Sequence, residues 1–487
     1  MLQGRGLKTS AVYYEVQAVH GMPAHQTVWP PGLALLAASL AWVTGLSPER
    51  ALAVLNAVAH GTSSLLLYWI ATQLRGSRLA AGCLALAYLL YAPSLVQALS
   101  GVSEPLSVLA TVAAAACVTK AFAGEDAPDL RWLAGAAALI GLGSWVRYQV
   151  IFQVAPLGLI CLIALWRREA WLRAGLMSSL VVAPAVVAFF ALLLRNWLLV
   201  GSATGANSAA RGNSIAELAF QAKWAVLSYL GGGAGPLDRL AIVVLAVAAI
   251  AGLVLVWRRG FEWQVTGPTA NAMVGAYALT SSLITTVIIV IMASRTTFYT
   301  LEGRYFHGAV LLGVIALIAY WPRGFWRAAD APSVWAGRAF MAAGIVLILL
   351  QLSSLAGLMR RGGEPVAIRQ VLTTPYEGRA LADFLRASGS ASSPLMSNQS
   401  QLLHLVLGVP TFSVPERRLT PRVWSGNEII EAARRFGVEY VVVFRKMPLG
   451  SSDGSTDYVW QMAGTPPADL VPLLVNDELS LYRIGTK

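Results

Sequence analysis

Long apolar runs, separated by short polar segments, fill the chain from about residue 48 to about residue 358. A helix needs about 20 apolar residues to cross the hydrocarbon of a bilayer. Ten spans are read this way, at 48–74, 79–98, 103–122, 131–147, 149–166, 174–197, 237–257, 271–293, 306–321 and 335–357. A further run, 32–46, follows Pro30 and Pro31 and is short for a span. It predicts a juxtamembrane or partly inserted helix. From about Met359 the pattern changes: charges become frequent and the long apolar runs stop. Thr374-Pro375-Tyr376-Glu377 and Ser425-Gly426-Asn427-Glu428 have the form of capping boxes, predicting helices that end at Gly389 and Gly437. Tyr440–Phe444 and Leu479–Ile484 have the residue types of strands. The expected fold is therefore an all-α polytopic membrane domain followed by a small C-terminal α/β domain. The expected boundaries are 1–47 for an outer loop with its juxtamembrane helix, 48–358 for the transmembrane domain and 359–487 for the soluble domain.

Composition strengthens the membrane reading. Charged residues make up 12% of the chain and hydrophobic ones 56%. Soluble globular domains carry about 25% charged residues. The net charge of +12 would suit nucleic acid in a soluble protein. Here the basic residues stand singly or in pairs between apolar runs, the pattern of topology determinants, so no nucleic-acid partner is expected. Cys83, Cys117 and Cys161 all lie inside apolar runs, which predicts neither disulfides nor a zinc site. Ala, Gly and Arg richness points to a GC-rich bacterial genome and hence to the bacterial inner membrane.

The distribution of basic residues sets an orientation. Short loops carrying Arg75, Arg78, Lys120, Arg131, Arg167, Arg168, Arg173, Arg258, Arg259, Arg323, Arg327 and Arg338 are placed in the cytoplasm. The opposite loops, the N-terminal residues and the C-terminal domain then face outward. Ionisable groups near a membrane are candidate functional groups by default, and the outward set is rich in them. Glu104 begins a span between Ser103 and Pro105, where a helix dipole stabilises its charge. Arg147 lies in Trp145-Val146-Arg147-Tyr148-Gln149, between two apolar runs. Asn207, Arg211 and Asn213 lie in a Gly-, Ser- and Asn-rich loop suited to a sugar or phosphate. Glu302, Arg304 and Tyr305 precede the span at 306–321. Each group also has a purely structural reading, as helix start, interfacial anchor, solvated loop or snorkelling arginine. His20 and His25 are five residues apart, which is not a metal-ligand spacing on a helix.

In their order along residues 11 to about 357, these motifs resemble those of the GT-C glycosyltransferases that use lipid-phosphate sugars. The nearest resemblance is to the dolichyl-phosphate-mannose protein mannosyltransferase-like family and the aminoarabinose transferases of lipid A. Tyr14, Ala18, Gly21 and Pro30-Pro31-Gly32 match the family's first outer loop. Ser103-Glu104-Pro105-Leu106 is similar to its Ser-Glu helix start, and Gly141-Leu142 through Arg147 to its Gly-Leu…Thr-Arg stretch. Arg195-Asn196…Gly201…Asn213 resembles its Arg-Asn…Gly…Gly-Asn loop, and Glu302-Gly303-Arg304-Tyr305 its Glu-x-Arg-Tyr motif. The family's catalytic Asp ends a first spanning helix. Here Thr9 or Ser10 takes the aligned position and the sequence begins inside the first outer loop. A misassigned start, a truncation or a non-catalytic relative would each account for this. Glu15 is the nearest substitute carboxylate.

The resemblance implies transfer of a sugar from a polyprenyl phosphate to the hydroxyl of a glycan, lipid or protein acceptor at the outer face of the membrane. Glu104 and Glu15 are the candidate catalytic groups. Arg147, Asn207, Arg211, Asn213, Glu302, Arg304 and Tyr305 are the candidates for the lipid phosphate and its sugar. No cofactor is implied, and the sequence leaves a divalent cation open. Two other readings stand beside the transferase. A transporter or flippase for a lipid-linked sugar would favour mid-bilayer charges and an internal repeat; a catalytically inactive GT-C-like subunit would account for the missing Asp.

Overall fold

The computed structural model describes residues 8–9, 11–12, 24–25, 30–75, 78–99, 102–124, 127–203, 213–229, 269–295, 301, 303–320, 393–398, 400, 403, 409–414, 425–444, 467–475 and 479–485. Most of these are helical. In chain order the helices are α1 (Gly32–Thr44), α2 (Pro48–Arg75), α3 (Arg78–Leu89), α4 (Ala92–Leu99), α5 (Glu104–Ala121), α6 (Leu130–Ser144), α7 (Val154–Trp166), α8 (Trp171–Val200), α9 (Ile215–Tyr229), α10 (Ala270–Arg295), α11 (Gly303–Tyr320) and α12 (Gly426–Arg435), with a 3-10 turn at Tyr148–Gln153 leading into α7.

Among the described residues, six helical stretches are long and apolar enough to cross a membrane: Arg50–Leu74, Glu104–Ala121, Tyr148–Trp166, Trp171–Val200, Ala270–Arg295 and Gly303–Tyr320. They fall on six of the ten spans read from the sequence. Two others take a different form. The expected span 79–98 is split into α3 and α4. Pro93 stands in the first turn of α4, where its missing N–H is tolerated, whereas in the interior of a continuous helix it would break the hydrogen-bond ladder. The expected span 131–147 is α6, of 15 residues, or about 22 Å. The spans at 237–257 and 335–357 lie outside the described residues.

Helix α5 is central. Its run Ala113–Ala116 lets neighbouring helices approach closely, as small residues do in membrane bundles. Val112, Ala114, Ala115 and Val118 are fully buried and join Leu67 and Ile70 of α2, Leu133 and Ile140 of α6, Leu157 of α7, Tyr277 of α10 and Ile315 of α11 in one core. By contrast, α8 leaves Leu172, Leu176, Leu180, Val187, Phe190 and Leu194 more than half exposed. An apolar face of that extent fits lipid rather than water.

Eight strands are described: β1 (Lys8–Thr9), β2 (Ala11–Val12), β3 (Ala24–His25), β4 (Leu395–Ser397), β5 (Thr411–Ser413), β6 (Tyr440–Phe444), β7 (Leu470–Val475) and β8 (Leu479–Ile484). β1 and β3 pair antiparallel. The other six form one sheet in the order β2-β5-β4-β6-β8-β7. β2, β5, β4 and β6 run parallel, and β8 and β7 close the sheet antiparallel. Both faces of β6 are covered. Val441 and Val443 pack with Ile429, Ile430 and Ala433 of α12, and Tyr440, Val442 and Phe444 pack with Leu403 and Leu481. That explains the uninterrupted apolar run of β6. β7 is an edge strand, and Pro472 sits beside its irregularity, where a strand tolerates proline.

The capping box expected at Ser425 is present. The Glu428 backbone N–H donates to Ser425 Oγ, and the Ser425 N–H donates to Glu428 Oε2 at 2.8 Å. Gly437, at φ +66°, turns the chain out of α12 and into β6. The helix expected after Thr374 lies outside the described residues. β4, β5 and β7, and the entry of β2 into the C-terminal sheet, go beyond the strands expected from the sequence.

Candidate functional site

The groups expected to act together begin at the start of α5. Glu104 is its first residue and is 2% exposed. Ser103 makes no side-chain cap there, so the carboxylate lies at an N-terminus whose dipole favours negative charge.

Arg147 reaches Glu104 from the end of α6. A Cβ on Gly143 would lie 2.8 Å from the Ala110 Cβ and 2.7 Å from Val150, so glycine is what lets the α6 turn press against α5. The Arg147 N–H then bonds back to the Gly143 carbonyl at 2.8 Å, and Arg147 itself leaves the helix in extended geometry. Its Nη1 lies 2.6 Å from Glu104 Oε1 and donates to Ser103 Oγ at 3.2 Å. Because this pair joins the start of α5 to the end of α6, both termini lie at one end of the bundle.

A second guanidinium arrives from α11. Arg304 Nε is 3.6 Å from the same Glu104 oxygen. The Tyr305 ring lies beside both cations, 4.9 Å from Arg147 Cζ and 5.1 Å from Arg304 Cζ. Arg304 also donates to the Tyr305 hydroxyl at 3.3 Å. The Arg147 side chain is 12% exposed and that of Arg304 is 38% exposed. Two guanidiniums and a helix N-terminus thus share one carboxylate, and the local balance is positive. Arg304 offers part of its fork to the outside, a geometry suited to phosphate oxygens.

Pro30-Pro31-Gly32 docks on the same turn. The Gly32 N–H donates to the Trp145 carbonyl at 2.6 Å, and a Cβ on Gly32 would lie 2.5 Å from that oxygen. Trp145 is held in turn by its indole N–H, which donates to the Ala188 carbonyl of α8 at 2.9 Å.

Four expected site residues, Glu104, Arg147, Arg304 and Tyr305, are brought together. Asn213 takes another place. Its amide donates to the Ala293 carbonyl near the end of α10 at 2.6 Å, and its Oδ1 accepts from Gln221 at 3.3 Å. Gln221 in turn accepts from the Leu301 N–H at 3.0 Å. This chain ties α9 to the end of α10 and the approach to α11. Glu15, Asn207, Arg211 and Glu302 lie outside the described residues. Among the described residues no three His, Cys, Asp or Glu side chains are grouped to hold a metal ion.

Several further polar groups, outside the motifs named above, lie inside the bundle. Gln153 donates to Thr111 Oγ1 and accepts from the Tyr277 hydroxyl, both at 2.9 Å. Asn56 donates to the Val102 carbonyl at 2.9 Å, and His60 Nε2 lies 3.1 Å from the Leu89 carbonyl. An amide or imidazole inside an apolar run is itself a signal. Gln153, Asn56 and His60 were open to that reasoning. Together with Arg304, Tyr305 and His307, the polar groups Ser107, Thr111, Gln149, Gln153 and Thr285 line a cavity of about 20 Å³.

Comparison with known proteins agrees with the motifs. Residues 30–204 match the family of dolichyl-phosphate-mannose-protein mannosyltransferases. No curated protein matches the chain. Among solved structures, an oligosaccharyltransferase of Archaeoglobus fulgidus, tethered to an acceptor peptide, is similar at 13% identity and a TM-score of 0.48. That match covers 90% of this chain and 62% of the oligosaccharyltransferase, so this chain spans less than two-thirds of its length. ArnT from Cupriavidus metallidurans, bound to undecaprenyl phosphate, is similar at 12% identity and a TM-score of 0.46, over 99% of this chain and 91% of that one. Through residues 30–204, the stretch that supplies Gly32, Glu104 and Arg147, this chain is similar to the dolichyl-phosphate-mannose-protein mannosyltransferases.

Proposed function

We propose that this protein is a membrane glycosyltransferase that moves a sugar from a polyprenyl-phosphate donor to an acceptor hydroxyl at the outer face of a bacterial inner membrane. The observation that carries the reading is the pair of guanidiniums, Arg147 and Arg304, held on the single buried carboxylate of Glu104 at one end of an apolar bundle. The donor's lipid tail dissolves in the bilayer and brings its headgroup to that end.

In the transfer, the acceptor oxygen bonds to the anomeric carbon and the bond from that carbon to the phosphate oxygen breaks. The phosphate leaves with the electron pair. Its growing charge needs fixed donors, each worth about 3 kcal/mol in a preorganised site. Arg304 supplies the open fork, and Arg147 is fixed behind it. Glu104 holds the two cations in place and keeps them from repelling each other. The attacking hydroxyl must also lose a proton. Glu104 is engaged by both guanidiniums, so that proton passes to the released phosphate, which leaves as a dianion and can take it. The soluble unit, 359–487, would lie on the same side as the site, above the acceptor's approach.

The test is incubation of the purified chain in lipid nanodiscs with radiolabelled undecaprenyl-phosphate mannose. Transfer to an acceptor or hydrolysis of the donor is expected. Arg304→Ala is expected to lower donor binding and abolish turnover without changing the melting temperature. Full activity in that variant would refute the phosphate role of Arg304. Binding of the donor without either reaction would refute the transferase and favour the inactive subunit.

A further inference from the structure

Beside the guanidinium pair, the cavity is too small for a sugar ring but large enough for one water-sized group. Holding a single water needs about 10–15 Å³, and the cavity measures about 20 Å³. Arg304 and His307 stand one turn apart on α11, and Thr111, Gln153 and Thr285 face them from α5, the 3-10 turn and α10. Gln153 is already engaged on both sides, by Thr111 and by Tyr277. Thr285 is different. It is 7% exposed, it lines the cavity, and its buried Oγ1 has no hydrogen-bond partner. A buried hydroxyl left unpaired is costly, and a native chain keeps one where something else completes it.

We propose that this cavity seats one hydroxyl of the donor sugar, with Thr285 as the residue that reads it. The inference rests on the phosphate-binding role of Arg304, since the group nearest a phosphate held there is the sugar that phosphate carries. A hydroxyl entering the cavity gives Thr285 Oγ1 its missing partner beside the amide of Gln153 and the ring of His307. A site built to bond a hydroxyl discriminates strongly against the analogue that lacks it, because the site's own polar groups are then left bare. Thr285 is thus a specificity-determining residue, distinct from the two arginines that hold charge.

The experiment measures equilibrium binding of undecaprenyl-phosphate mannose, and of its singly deoxygenated analogues, to the full chain in nanodiscs. Wild type, Thr285→Val and Arg304→Ala are compared. Wild type is expected to bind one deoxygenated analogue about ten-fold more weakly than the parent, about the effect of one hydrogen bond. Thr285→Val is expected to weaken the parent by the same factor, to leave that analogue unchanged, and to hold or raise the melting temperature of the ligand-free protein. If Arg304→Ala weakens binding while Thr285→Val does not, or if all analogues bind alike, the hydroxyl subsite is overturned and the phosphate site stands. If neither substitution changes binding, the phosphate site falls and the subsite with it. A clear drop in the ligand-free melting temperature of Thr285→Val would show that the hydroxyl already has a structural partner, which also overturns the proposal.

Discussion

Arg147 and Glu104 meet at 2.6 Å with the carboxylate side chain 3% and the guanidinium side chain 12% exposed. At that distance and burial the pair is a charge-assisted hydrogen bond rather than a loose surface contact. It also spans the bundle, since it fastens the end of α6 to the start of α5. Arg304, on α11, shares the same oxygen from 3.6 Å. One carboxylate therefore sets the positions of cations from two separate helices.

Breaking a buried pair by removing one partner leaves the other charge uncompensated, at a cost of about 3–5 kcal/mol. Glu104→Gln and Arg147→Met should each lower the melting temperature of the detergent-solubilised protein. The double variant should lose less than the two single losses combined, with a coupling of about 0.5–3 kcal/mol for groups in direct contact. Additive losses would mean that the two side chains act independently.

Gly32→Ala forces a Cβ to within 2.5 Å of the Trp145 oxygen, backbone that cannot rotate away. The substitution should push α1 off the turn that carries Arg147 and cost about 1–3 kcal/mol, the usual range for overpacking. Gly61 in α2 meets nothing within 4 Å. Gly61→Ala should therefore be neutral or stabilise by about 0.5–1 kcal/mol, as alanine does in a helix interior. Thermal unfolding of the two variants side by side gives the comparison. Equal behaviour would remove the docking role of Gly32.

Asn213 bridges α10 and Gln221, and Gln221 carries the link on to Leu301. Asn213→Ala and Gln221→Ala should each cost about 1–2 kcal/mol through lost hydrogen bonds and the bare carbonyl left behind. Their losses should overlap when combined, because they cut the same chain. Donor affinity should change far less than in Arg304→Ala. A loss of affinity equal to that of Arg304→Ala would return Asn213 to the ligand site.

The bundle was readable in the sequence where length and apolarity decide, as at α8 or α10. It was less readable where one residue intervenes. Pro93 splits a run whose composition alone looks continuous. The capping box at Ser425 and the run Tyr440–Phe444 were legible because both are local patterns. β4 and β5, of three residues each, are too short for alternation to show. The site divides in the same way. Glu104, Arg147 and Arg304 were each visible as charges beside apolar runs, but their sharing of one oxygen arises from helix packing, which no local pattern records. Thr285 gave no signal, since a threonine in an apolar helix is ordinary until its hydroxyl is found without a partner.

The pairing of β2 with β5 has a consequence for the membrane. Ala11 stands opposite Thr411 and Val12 opposite Phe412 in parallel register. Strands in one sheet occupy one compartment, so the N-terminal residues and the C-terminal sheet share a side. Neighbouring strands lie about 4.8 Å apart, within the separation of about 4.4–6.8 Å that a disulfide bridges between Cα atoms. With Cys83, Cys117 and Cys161 replaced by alanine, the double variant Ala11→Cys with Thr411→Cys should cross-link under mild oxidation. Ala11→Cys with Leu473→Cys should not, because β2 and β7 lie at opposite ends of the sheet order. Mass spectrometry of the non-reduced protein reads the result. Failure of the first pair to close would detach β2 from the sheet and with it the link between the N-terminal segment and the C-terminal sheet.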